Sequence, residues 1–157
     1  MNKTLIDNIN ALVKPGDTLY HLGDFTFRGK GSVESYRKLI LCKDVRLVHG
    51  NHDQINMSTL GIYDRIFTKH SPLMNIKVEG KHITLCHYPM LTWDKSHYES
   101  YQLYGHCHGG FPDNPERYQL DVGVDAHDYM PISFAQVKEL MSKKSWVKYK
   151  QTGKAKT

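Results

Sequence analysis

The amino-acid sequence predicts an α/β fold, and three observations carry that prediction. Short, mostly apolar runs at residues 17–22 and 45–48 stop at Gly23-Asp24 and at Gly50-Asn51, as buried strands do when they deliver loops at their carboxyl ends. Stretches with apolar residues at helical spacing alternate with these runs. The chain has 157 residues, 39% of them hydrophobic and 24% charged, the size of one domain able to bury roughly two thirds of its unfolded surface.

Taken in order, residues 4–13 place Leu5, Ile6, Ile9, Leu12 and Val13 on one stripe, which predicts a helix packed on a sheet and ended by Pro15-Gly16. The strand at 17–22 follows. Residues 32–41 predict a helix with Ser32 as its cap and Tyr36, Leu39 and Ile40 as its inner face. After the strand at 45–48, residues 73–78 and 81–86 flank Glu79-Gly80 and predict a hairpin. A long irregular stretch at 88–98 leads to a strand at 101–104 ending at Gly105-His106, and a further strand is expected at 118–124. Ser133 and Gln136 form a capping box ahead of Phe134, Val137, Leu140 and Met141, and a weak terminal strand is expected at 146–150. No internal repeat, low-complexity tract or interdomain linker interrupts the pattern. The domain is expected over 1–142, with a basic tail at 143–157.

Composition narrows the function classes. No stretch approaches the roughly 18 consecutive apolar residues of a membrane span, and Met1-Asn2-Lys3 leads into an amphipathic segment rather than a signal-peptide core. Cys42, Cys86 and Cys107 are an odd, widely spaced set, which suits thiols in a reducing compartment better than a disulfide framework. The expected location is therefore the cytoplasm. Net charge is +5, but residues 143–157 hold six lysines and no acid, leaving 15 basic against 16 acidic side chains before them. Such a tail suits a nucleic acid or another polyanion, while the plainer expectation is a solvated terminus. Oligomeric state is not legible.

The chemistry lies in four short strings: Gly23-Asp24, Gly50-Asn51-His52-Asp53, His87-Tyr88-Pro89 and Gly105-His106-Cys107-His108. Two divalent ions about 3.5–4 Å apart can grip a phosphate, generate hydroxide near neutral pH and balance charge during in-line displacement. Asp24 has two oxygens with which to bridge such ions, and Gly23 lets the backbone turn beside it. Asn51 offers a neutral oxygen, and His87, His106 and His108 offer nitrogens suited to zinc, iron, manganese or nickel. His52 can protonate a leaving-group oxygen, with Asp53 either holding its imidazole or capping a following helix. Arg28 and Lys30 are candidates for phosphate contact or solvated loop charges. His21, His49, His70, His82, His97 and His127 are expected to be hydrogen-bonded structural residues. Trp93 and Tyr98 are expected to pack beneath their loop rather than line a cleft.

His21-Leu22-Gly23-Asp24-Phe25 followed by the other three strings resembles the calcineurin-like metallophosphoesterase superfamily over nearly the whole chain. It is most similar to small bacterial and phage members, through Leu120-Asp121-Val122-Gly123-Val124-Asp125 and Met130-Pro131-Ile132-Ser133 as well. The resemblance implies a four-layer αββα sandwich of two mixed sheets flanked by helices. It implies Asp24 as the bridging ligand, Asn51, His87 and His106 on the second metal, His108 on the first and His52 as the catalytic histidine. The implied reaction is hydrolysis of a phosphomonoester or phosphodiester by a metal-bound hydroxide, without a covalent phospho-enzyme.

One departure matters. Relatives carry Asp-x-His on an opening strand ahead of Gly-Asp, and the 23 residues before Asp24 contain no such pair. His21, three residues before Asp24 on a strand, is expected to face the opposite side. The first strand is therefore expected to be missing, with one firm ion and one weak or absent ion, because two ligands of the first metal are lost. Three expectations follow: the natural product begins upstream of Met1, the chain has lost catalytic strength, or a partner covers the sheet edge. The alternative to an enzyme is a catalytically weak metal- or partner-binding remnant of the fold.

Overall fold

The computed structural model describes residues 2–27, 30–53 and 57–147. Its elements are α1 (Asn2–Leu12), β1 (Thr18–His21), α2 (Lys30–Leu39), β2 (Asp44–Val48), α3 (Met57–Ile66), β3 (Lys69–Ser71), β4 (Leu73–Val78), β5 (Lys81–Cys86), β6 (Tyr101–Tyr104), β7 (Gln119–Asp121) and α4 (Phe134–Ser142). Two sheets and four helices give the α/β architecture. The first sheet has the order β1-β2-β3 with parallel pairs, and the second has the order β4-β5-β6-β7. In the second, β4-β5 is antiparallel and the other two pairs are parallel.

Each sheet owns a core. Leu19, Val45 and Leu47 of the first sheet pack with Val33 of α2, Tyr63 and Ile66 of α3, and Ile9 of α1. The expected stripe of α1 holds at Ile9 and Val13 but not at Leu12, which is 51% exposed. In α2 the helix begins at Lys30, so Ser32 lies inside it rather than capping it, and Val33 and Ile40 are buried where Leu39 is exposed. The second core joins Met74, Leu85, Leu103 and Leu120, register neighbours across all four strands. Ile83 and Tyr101, with Val48 from the first sheet and Val137 and Met141 from α4, complete it.

The opposite face of the second sheet carries a polar row, Asn75, Thr84, Gln102 and Gln119, in matching register. Buried amides demand partners, and these find them in the loop after β5. Gln102 Nε2 donates to the Tyr88 carbonyl at 3.2 Å and Gln119 Nε2 to the Met90 carbonyl at 2.9 Å. Lys144, almost wholly buried, donates to the Gln119 carbonyl at 2.8 Å and pairs with Asp113.

The hairpin at Glu79-Gly80 forms as expected, both residues taking positive φ. The capping box on α4 also forms, Gln136 N donating to Ser133 Oγ and Ser133 N to Gln136 Oε1. The strand at 118–124 is trimmed to Gln119–Asp121 because the chain then turns into a short 3-10 helix, Val124–Ala126. Residues 146 and 147 form no strand, and the rest of the expected terminal strand and lysine tail lies outside the described residues. Arg28 also lies outside them, as does the Lys30 side chain.

Candidate metal centre

Four strands, β1, β2, β5 and β6, end on the same side of the molecule and release the four candidate strings there. The turn after β1 needs glycine: Gly23 has φ +98°, and a Cβ on it would lie 2.5 Å from His87 Nδ1 and 2.7 Å from the Gly50 Cα. Gly50 is equally pinned, since a Cβ there would collide with the Asp24 carboxylate. Asp24, His106 and His108 themselves sit in the left-handed region, at φ 56°, 66° and 48°. That conformation costs non-glycine residues of order 1–3 kcal/mol each and collects at functional sites.

Two buried aspartates hold these turns in place. The Asp53 carboxylate accepts three backbone N–H groups: Oδ2 from Asp24 at 2.9 Å and Gly50 at 2.7 Å, and Oδ1 from Phe25 at 2.8 Å. It thereby ties the loop after β1 to the loop after β2. Tyr63 Oη donates to the Asp53 carbonyl at 2.8 Å, and burial, with the Asp53 charge added, pushes the Tyr63 phenol up to about 12. Asp121 does the same work for the last turn, accepting from Gly109 at 3.2 Å and Gly123 at 2.8 Å.

His87, 2% exposed, is the hub. Its Nδ1 lies 2.7 Å from the Leu22 carbonyl, which only accepts, so Nδ1 is the donor there and Nε2 is left to turn a lone pair outward. Around that lone pair lie Asn51 Oδ1 at 3.0 Å, His106 Nδ1 at 3.1 Å and Asp24 Oδ2 at 3.5 Å. Among the described residues, ligand atoms of Asp24, His87 and His106 fall within 4.8 Å of one another. Ligands bonded at about 2.0–2.1 Å and splayed by 90–110° stand roughly 2.8–3.4 Å apart, close to the 3.0–3.5 Å spacings here, so the arrangement fits a common cation. The donor set also fits: one carboxylate, one amide oxygen and two imidazoles suit zinc, manganese, iron or nickel.

The remaining candidates surround this group. His52 donates its backbone N–H to Asp24 Oδ1 at 2.8 Å and presents an exposed ring whose centroid is 4.8 Å from that of Phe27. The described bonds of the Asp53 carboxylate go to backbone amides, and none joins it to the His52 imidazole. His108 stands apart from the close group: it is 67% exposed and its Nδ1 meets the Asp125 carboxylate. The Cys107 thiol is pushed up by burial and by Asp121, which disfavours a reactive thiolate.

Most structural histidines find partners. His49 Nε2 lies 2.8 Å from His70 Nδ1, whose Nε2 lies 3.0 Å from Asp64, and His127 donates to the Asp121 carbonyl. His21 and His97 are exceptions: among the described residues, the buried Nδ1 of His21 lacks any hydrogen-bond partner, and His97 is exposed without a side-chain hydrogen bond. Burial lowers the His21 pKa, partly opposed by Asp53 and Asp24. Trp93 packs as expected, Nε1 donating to Ser100 Oγ at 3.0 Å, whereas Tyr98 is 83% exposed and does not. The clamping roles of Asp53 and Asp121 escape sequence reasoning, because a carboxylate serving distant amides leaves no local pattern.

Residues 2–116 match the calcineurin-like phosphoesterase superfamily domain. The chain is 29% identical over 150 residues to an uncharacterized protein of Methanocaldococcus jannaschii, an alignment covering 91% of this chain and 76% of that protein. The crystal structure of a protein of unknown function from Aquifex aeolicus superposes with a TM-score of 0.65 at 26% identity, covering 88% of this chain and 84% of the other.

Proposed function

From the premise that this chain belongs to the calcineurin-like phosphoesterase superfamily, we propose that it is a metal-dependent hydrolase of a phosphomonoester or phosphodiester. The observation that carries the proposal is the convergence of Asp24, Asn51, His87 and His106 on one point. Those four would hold a divalent cation, which when bound supplies charge for the phosphoryl oxygens and an activated water for in-line attack. The proton of His87 Nδ1, given to Leu22, keeps Nε2 free for the cation. Asp24 turns Oδ2 toward His87 Nε2, where it would help hold the cation, while Oδ1 receives the His52 amide. His52, anchored through its backbone and exposed at its ring, would deliver a proton to the leaving-group oxygen. Asp53 acts on this chemistry as a positioning residue through the loops it ties.

The isolation of His108 from the close group supports a second element of the reading: one firm cation and a weaker second one. Impaired turnover follows from that, and its extreme is the alternative of a metal- or partner-binding remnant. The test is hydrolysis of p-nitrophenyl phosphate, bis(p-nitrophenyl) phosphate and their alkyl counterparts by the manganese-loaded chain. Turnover is expected, with His52→Ala lowering kcat for alkyl leaving groups by about 10²–10⁴ and for p-nitrophenolate by far less, since that anion leaves without a proton. Metal binding without turnover on any ester would favour the remnant. Equal alkyl turnover in His52→Ala would remove the assigned acid.

A further inference from the structure

Two aromatic rings border the metal centre without serving either core. Phe25 and Phe27 lie two residues apart on the loop after β1, and they part company. Phe25 packs edge-on against Phe67 at 5.2 Å and His21 at 5.0 Å, whereas Phe27 is 65% exposed and lies against the exposed His52 ring. Tyr88 follows His87 and is 44% exposed, with its ring centroid 4.8 Å from those of both His87 and His106. Single exposed apolar side chains are ordinary on a surface. Here one such ring adjoins the proposed acid and the other adjoins two candidate cation ligands, which is where a phosphate ester would present the group it carries.

The backbone that carries each ring is anchored before any ligand arrives. Gln102 fixes the Tyr88 carbonyl at 3.2 Å, and Asp53 fixes the Phe25 amide at 2.8 Å, two residues from Phe27. A rigid ring with two side-chain torsions offers contact area at low entropic cost, and pre-positioning reduces what binding must still order. Flat apolar faces beside a polar, cation-holding centre match an ester that is charged at one end and planar at the other.

We propose that Phe27 and Tyr88 form a ring-binding subsite, so that the substrate is a phosphate ester whose leaving group carries a planar aromatic ring, as an aryl or nucleoside ester does. The inference rests on the phosphoesterase reading for its placement of the leaving group beside His52. It is the flat face of the ring that is recognised, because neither side chain reads a base edge through hydrogen bonds from its ring face.

The test separates binding from turnover. With the manganese-loaded full chain, calorimetry would compare phenylphosphonate with ethylphosphonate, neither of which is an ester that can be hydrolysed. The aromatic ligand is expected to bind about tenfold more tightly, and Phe27→Ala and Tyr88→Ala are each expected to shrink that ratio roughly threefold, while Phe27→Trp retains it. In parallel, kcat/KM for phenyl against ethyl phosphate should lose the same factor in each alanine variant, the intrinsic reactivities cancelling between variants. Adenosine 5′-monophosphate competing better than ribose 5-phosphate would identify a nucleoside as the ring, and the reverse with retained phenyl preference would identify a simple aryl group. A ratio near one in the parent chain, or one unmoved by both alanine variants, would overturn the subsite. Phenyl preference without hydrolysis of any ester would leave the subsite standing and defeat the phosphoesterase reading instead.

Discussion

Replacing Asp53 by alanine should uncouple the two loops that build the metal centre. Its carboxylate, 4% exposed, receives three backbone N–H groups at 2.7–2.9 Å. Hydrogen bonds to a charged partner contribute about 1.5–3 kcal/mol each, so simple addition reaches about 4.5–9 kcal/mol. Asp24, Phe25 and Gly50 are only part-buried, so water can reach some of the orphaned amides, and a loss of about 4 kcal/mol is expected. That is a large share of the roughly 5–15 kcal/mol of a typical domain. With a urea dependence of about 2 kcal/mol per molar, the unfolding midpoint should fall by roughly 2 M. Asp53→Asn keeps the shape and one acceptor oxygen, so its midpoint should fall by about half as much. Manganese affinity should drop in both variants, since Asp24 and Asn51 no longer share a fixed frame. If Asp53 served instead to hold the His52 imidazole, the midpoint would stay put and only kcat would fall. A midpoint shift below about 0.5 M in Asp53→Ala would refute the clamp.

Other perturbations read other parts of the same structure. Gly23→Ala places a Cβ at 2.5 Å from His87 Nδ1 on a residue at φ +98°, so it should cost about 2–3 kcal/mol in thermal or urea unfolding and abolish tight metal binding, whereas retained affinity would contradict the packing. Tyr63 and Tyr104, both 2% exposed and both pushed up to about 12 by burial, stay neutral in the fold after the unfolded chain ionises near pH 10. Stability should therefore hold below about pH 10 and fall by roughly 2–3 kcal/mol per tyrosine up to about pH 12, seen as a lower urea midpoint at pH 11 than at pH 9. His21 has the opposite consequence on the acid side. Its lowered pKa means that the unfolded chain takes the proton first, so its contribution is complete above about pH 6.5 and declines as the pH falls below that value. His21→Phe should flatten the melting-temperature profile between pH 7.5 and 5.5, and an unchanged profile would assign the acid sensitivity elsewhere.

Much of this structure is legible from residue patterns, for reasons that also explain the failures. Strand ends were readable because apolar runs stop abruptly at Gly23, Gly50 and Gly105, and the four strings declare their chemistry through residue type. The hairpin at Glu79-Gly80 and the box at Ser133 and Gln136 are local devices that leave local signatures. By contrast, α3 enters the sequence reading only as the helix that Asp53 could cap, and β3 does not enter it, since the three residues of Lys69–Ser71 are too few to show a period. Ser32 misled as a cap because capping competes with simple continuation of the helix, and here Lys30 already opens it. His21, expected to face away from Asp24, packs its ring edge-on against Phe25 and lies outside the close ligand group. The resemblance already assigns His108 to the other ion, apart from His87 and His106; what stays hidden is its contact with Asp125, because that partner lies beyond a strand and a turn.

The most direct test of the metal centre is the manganese content of the chain after equilibrium dialysis, compared with that of His87→Ala. The arrangement around His87 Nε2 predicts close to one firmly held equivalent, lost on substitution. Undiminished manganese in His87→Ala, or none in the parent chain, would contradict it.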